Sequence, residues 1–150
     1  MDPVLAAVAL AGLVAVSTVT GLVWRARDGR VTVLASSDSD VFSPSDFPGV
    51  PSFGERATLV QFSTDICSRC PPTERMLRTV ASRHDGVEVM VVDLTMRADL
   101  ASRFHVLQTP TVLVLDGTGR QLARSGGPPQ RAAIETVLAS LESRSSHVTH

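Results

Sequence analysis

Lysine and tyrosine are missing from these 150 residues, tryptophan occurs once, at Trp24, and cysteine only twice. Each scarcity excludes something. Without lysine there is no Schiff-base former and no lysine general base. All 14 basic side chains are arginine, which reads as a compositional bias rather than a site, and the formal net charge of -1 gives no basic footprint for nucleic acid. Two cysteines cannot staple a small secreted scaffold through several bridges. A structural zinc site needs about four ligands, and His84, His105, His147 and His150 show no paired metal spacing. No glycine-rich dinucleotide loop is present. The chain itself therefore calls for no metal, flavin or nicotinamide cofactor.

What remains is concentrated in one place, because the two cysteines stand together in Cys67-Ser68-Arg69-Cys70. Thiols two residues apart close a small disulfide with little backbone movement, so the bond can open and shut as chemistry. The pair lies between an apolar run, residues 58–63, and a helix-like stretch that opens with Pro71 and Pro72. A helix N-terminus carries roughly half a positive charge and favours a thiolate over a thiol. Arg69 adds a full positive charge inside the loop.

The N-terminus carries the other strong signal. Residues 3–24 contain no charged side chain. At about 1.5 Å per residue they span about 33 Å as a helix, against a hydrocarbon core of about 30 Å. Trp24 closes the run where an amphipathic ring belongs, and Arg25, Arg27 and Arg30 follow. A cleavable signal peptide has a basic start, a shorter apolar core and a small-residue cleavage site. Here Asp2 is the only charge before the run, and Ala15-Val16-Ser17 lies inside it. The reading is an uncleaved single-pass anchor in a cell membrane, in contact with lipid through residues 3–24. A buried soluble helix is the alternative. The arginines after the helix place the downstream domain in the cytoplasm by the positive-inside rule, while disulfide chemistry is commoner on the oxidising side. An extracytoplasmic domain therefore stays open.

Residues 25–57 read as a linker and docking segment: a short strand at 31–35, a polar spacer, and a Pro/Gly-rich stretch with a brief helical turn capped by Ser45. The regular domain is expected at 58–142, with a tail at 143–150. Its elements are a strand at 58–63, a helix at 71–83, a second and more buried strand at 87–93, a short helix at 98–104, a strand at 111–115, a tight turn at 116–119, a hairpin partner at 120–125 and a last helix at 130–142. Alternating strands and helices imply a parallel central arrangement with an antiparallel edge. The class is α/β.

Four marks in this stretch resemble the thioredoxin family: a strand leading into Cys67-Ser68-Arg69-Cys70, Asp93 ending the next strand, a Thr109-Pro110 step before the third strand, and Gly126 after the hairpin. The resemblance covers residues 58–141. It implies a thioredoxin-like fold, a central mixed sheet with flanking helices, preceded here by the transmembrane helix. It also implies a membrane-tethered thiol–disulfide oxidoreductase whose partners are protein disulfides or dithiols and a redox partner protein. Cys67 would be the attacking cysteine and Cys70 the buried resolving one. Pro110 would be the family's cis-proline, turning Thr109 toward Cys67 to pair with substrate in strand fashion. Ile66 would contribute to substrate binding, with Arg69 and Ser68 in support.

The departures are specific. Ile66 stands where the family usually has tryptophan, Ser68-Arg69 replaces glycine-proline, and Pro71 replaces a common basic residue. Gln61 matches a buried aspartate thought to relay the resolving cysteine's proton, and about Val91 a buried lysine. Asp65 reads as a solvated loop acid, and His105 as a residue flanking the substrate groove. A docking module that keeps the fold but holds a stable disulfide or a soft metal ion is the competing function. A peroxidase would need an arginine-lined pocket, and only Arg69 is near the thiols.

Overall fold

The structure is a computed structural model that describes residues 2–27, 30–33 and 40–146, with the side chains of residues 24–27 and 144–146 left aside. The expectations for the side chains of Trp24, Arg25 and Arg27, for residues 34–39 and for His147 and His150 lie outside the described residues.

Helix α1 (Pro3–Arg27) is followed by strand β1 (Val31–Val33), a 3-10 turn (Pro44–Asp46), β2 (Ala57–Ser63), α2 (Cys70–Ala81), β3 (Val87–Asp93), α3 (Ala98–Arg103), β4 (Thr111–Asp116), β5 (Gln121–Gly126) and α4 (Arg131–Ser146). One sheet takes all five strands in the order β1-β5-β4-β2-β3. The expected parallel core is corrected here. Only β2 and β3 run parallel, through a crossover that contains α2, whereas β4 is antiparallel to β2 and β5 to β4. The chain leaves β3, passes through α3 and returns on the other side of β2, so its direction reverses.

Strand β2 lies between β4 and β3, and six of its seven residues are buried. Its alternate side chains enter two cores, as the pleat requires. Ala57 and Leu59 pack with Val112, Val114, Leu77, Val80, Ile134 and Leu138 under α2 and α4. Val60 and Phe62 pack with Leu113, Leu115, Leu100 and Phe104 on the α3 face. The expectation that residues 87–93 form the more buried strand is also corrected. β3 is the sheet's outer strand and buries only Val92 fully, because nothing pairs with its far side.

The docking segment closes the α3 face. All five phenylalanines of the chain are drawn into one cluster. The Phe47 ring stacks on Phe104 with centroids 4.8 Å apart, and Phe42 and Phe53 close around it. The brief turn inside this segment is capped by Ser43 rather than by Ser45, since the Ser43 N–H donates to Asp46 Oδ2 at 2.7 Å in a capping box. Arg103 pairs with Asp46 and ties the turn to α3. Gly119 makes the neighbouring approach possible. It has φ +83, and a Cβ there would stand 2.0 Å from the Phe42 carbonyl oxygen.

Helix ends shift slightly from expectation. α2 begins one residue early, at Cys70, and stops at Ala81, because Arg83 and His84 donate to Val80 and Ala81 in tighter three-residue turns. Helix α1 is exposed along its described side chains, and Thr18 and Thr20 donate their hydroxyls to the carbonyls of Val14 and Val16. Its Pro3–Val23 portion is the one described helix long and apolar enough to cross a membrane.

Candidate redox site

The site forms where β2 ends and α2 begins. Cys67 and Cys70 are joined, with S–S 2.08 Å and Cα–Cα 5.4 Å. The two sulfurs sit in unlike surroundings. Cys70 is the first residue of α2 and is 2% exposed, while Cys67 lies half-buried in the turn before it. The helix start is unusual in its donors. The Cys70 N–H goes to the Cys67 carbonyl at 3.2 Å, Pro71 and Pro72 have none, and the Thr73 N–H goes to the Arg69 carbonyl at 3.2 Å. The helix field still acts on the turn, but the first four positions leave no backbone N–H aimed outward at a thiolate.

Beneath the turn lies Gln61, 1% exposed on the α2 face of β2. Its Nε2 donates to the Cys70 carbonyl at 3.0 Å, and its Oε1 is the one buried side-chain polar atom without a partner among the described residues. Val91 stands directly opposite in the β3 register.

The other expected site residues meet on the outer side of the turn. The Thr109–Pro110 bond is cis. The Thr109 hydroxyl shares a hydrogen bond with Thr64 at 3.2 Å, and Thr64 also accepts the Cys67 N–H through its carbonyl at 3.1 Å. Pro110 is buried, and its carbonyl accepts from the Gly127 N–H at 2.8 Å. Gly126, the last residue of β5, pairs with Thr111, and a Cβ on it would meet the Gln108 side-chain amide. Thr64, Ile66 and Thr109 line an open groove of about 630 Å³, whose other wall is Leu94, Met96 and Leu107. Ile66, Met96 and Leu107 are 89%, 89% and 96% exposed. Ser68 and Arg69 point into solvent, and Asp65 is an exposed loop acid whose backbone N–H donates to Thr95 Oγ1.

Sequence reasoning missed Met96 and Leu107. The available signal was one further apolar residue beside Leu94 and beside Val106 in two short loops, which ordinarily means nothing. His105 is corrected: it does not line this groove. Its carbonyl accepts from Arg124 at 2.7 Å, and it borders a separate pocket with Asp46 and Arg103. Burial lowers the pKa of that Arg124 guanidinium, which holds the end of α3 in place through the Phe104 and His105 carbonyls. Asp93 is lowered by the Thr95 hydroxyl and N–H, both of which donate to its Oδ1, and so it closes the turn after β3.

The sequence profile named Thioredoxin matches residues 44–140, which takes in residues 44–57 of the docking segment, both cysteines and the cis-proline. The chain belongs to the thioredoxin family. Solved structures agree at the level of fold. An uncharacterised thioredoxin-like protein from Clostridium perfringens is 25% identical, covering 67% of this chain and 79% of that one at a TM-score of 0.53. Thioredoxin from Trypanosoma brucei brucei is 22% identical, covering 60% and 78% at 0.51. A DsbF homologue from Corynebacterium diphtheriae is 12% identical, covering 73% and 92% at 0.52. A comparison with curated proteins returns no match. A thioredoxin fold carrying a Cys67–Cys70 pair supports thiol–disulfide oxidoreductase chemistry in general.

Proposed function

We propose that this thioredoxin is a membrane-tethered oxidoreductase that exchanges disulfides with protein substrates through Cys67 and Cys70. One observation carries the reading: a half-buried sulfur and a shielded one close a single S–S bond beside an apolar groove.

In the reducing direction the Cys67 thiolate attacks a substrate disulfide. One substrate sulfur leaves as thiolate, and Cys67 stays joined to the other. Cys70, buried behind it, then attacks Cys67 and expels the second substrate thiol. Two electrons and two protons pass to the substrate as the Cys67–Cys70 bond forms. The oxidising direction is the same path reversed, and the partner's potential decides between them. Thr109 and Pro110 present backbone to an extended substrate strand, and Ile66, with Met96 and Leu107, receives its apolar side chains. Ser68 and Arg69 stay in solvent at the rim, where Arg69 favours the thiolate by charge. The exposed apolar helix Pro3–Val23 supports insertion into a cell membrane, with a redox partner protein replenishing the pair.

The test uses an insulin-type protein disulfide and the full chain in detergent. Cys67→Ser abolishes turnover, and Cys70→Ser accumulates a mixed disulfide at Cys67. Paired Met96→Ser and Leu107→Ser lower kcat/KM for the protein substrate about tenfold, the order expected for two partly buried contacts, without changing reduction of a small disulfide. A parent chain that turns over no protein disulfide, and whose partner stays bound after Cys67→Ser, sinks the oxidoreductase reading in favour of a docking module.

A further inference from the structure

The register of β1 says which end of the thioredoxin domain lies nearest the anchor. Val31 pairs with Ser125, Ser125 with Val112, and Val112 with Gln61. These four residues form one row across the sheet, and Gln61 is the residue bonded to the Cys70 carbonyl. β1 runs antiparallel to β5, and β5 runs toward Gly126 beside the cis-proline loop. The chain therefore enters the sheet at its redox end and runs away from it. The opposite end of the sheet is the Asp116–Gly119 turn.

The tether is short. Helix α1 ends at Arg27 and β1 begins at Val31. Four residue steps reach at most about 14 Å, however residues between them are arranged. Three strand spacings from β1 to β2 add about 14 Å. Gln61 thus lies within about 28 Å of the end of the apolar helix. The Asp116 end is four strand residues, about 14 Å, farther along the sheet. The redox end is also the end that carries Ile66, Met96 and Leu107, exposed by 89%, 89% and 96%.

We propose that the redox partner is an integral membrane protein whose cysteine pair lies at the same bilayer surface, close to the lipid, and that the apolar rim of Ile66, Met96 and Leu107 docks on it. The inference rests on the anchored-oxidoreductase reading above. A long flexible tether would let Cys67 reach soluble clients far from the membrane; this one keeps the sulfurs beside the membrane and raises the effective concentration of thiols held there. The exchange needs no further reagent. One S–S bond breaks in one protein as one forms in the other, and two electrons and two protons move with it.

The experiment reconstitutes the reduced full chain in phosphatidylcholine–phosphatidylglycerol vesicles. The probes are single-pass apolar peptides bearing one cysteine as a mixed disulfide with thionitrobenzoate, whose release is read by colour. One probe holds its disulfide about five residues outside the bilayer, and another holds it on a helical spacer of about 40 residues, about 60 Å away. The near probe is expected to react at least about tenfold faster than the far one. Inserting about 30 Gly/Ser residues after Gly29 is expected to erase that preference, since such a linker reaches well past the short native tether. Both chains should react equally with the soluble glutathione–thionitrobenzoate disulfide. A far probe that reacts as fast as the near one overturns the proposal. A chain that exchanges with the soluble disulfide but does not float with the vesicles overturns it through the anchor. A chain in the vesicles that does not exchange with the soluble disulfide overturns it through the redox reading.

Discussion

The side-chain amide of Gln61 donates to the carbonyl oxygen of Cys70 at 3.0 Å, and its own oxygen, buried under the redox turn, accepts nothing. The amide ties the Cys70 backbone to β2 without supplying a base. Gln61→Asp places an ionisable oxygen there, and burial raises its pKa toward the working range. The expected result is decay of the Cys67 mixed disulfide faster by about tenfold or more, with lower stability from the buried acid. Stopped-flow measurement of that decay decides it, and an unchanged rate refutes the role. Gln61→Met removes the bond and the orphan oxygen together, so its stability should stay within about 1 kcal/mol of the parent.

Pro71 and Pro72 deprive the first turn of α2 of two donors. Pro71→Ala restores one N–H at the helix start, where it stabilises a nearby anion. Reduced Cys67 is expected to alkylate several-fold faster with iodoacetamide at pH 7. A rate equal to the parent's would mean that the restored N–H does not reach the sulfur.

Phe47 is the centre of the aromatic cluster, stacked on Phe104 at 4.8 Å. Phe47→Ala is expected to cost about 3–5 kcal/mol, as for other buried phenylalanines, and to release the docking segment to limited proteolysis. Urea unfolding of the detergent-solubilised chain measures the first effect. A loss below about 1 kcal/mol would show that the segment adds little to the fold.

Glu142 on α4 lies 3.0 Å from His84 Nδ1 and 3.6 Å from Arg56, so that the turn after α2 and the entry to β2 meet the last helix at one carboxylate. Its pKa is lowered, chiefly by the His84 hydrogen bond. A lowered folded value means stability that is present above the ordinary carboxylate value of 4.5 and is lost as pH falls through the folded one. Glu142→Gln should unfold at lower urea than the parent at pH 7, and at the same urea concentration near pH 3. A gap that persists at pH 3 would assign the contact to packing instead of charge.

Much of this protein is readable without coordinates, because much of it is local. The apolar run at 3–24, the Cys67–Cys70 spacing, the Thr109-Pro110 step and the β-branched runs of β2, β3 and β4 each declare themselves within a few residues. Helix ends come out within a few residues for the same reason. Tertiary structure decided the rest, through partners distant in sequence. It put β3 at the sheet edge and turned β4 antiparallel to β2, since strand order depends on which edges pair and not on what either strand contains. It gathered Ile66, Met96 and Leu107, each unremarkable in its own loop, into one apolar rim. It also set Val31, four residues after the end of α1, in the same row as Gln61. A periodic pattern fixes the face on which a side chain lies; only long-range pairing fixes what lies opposite it.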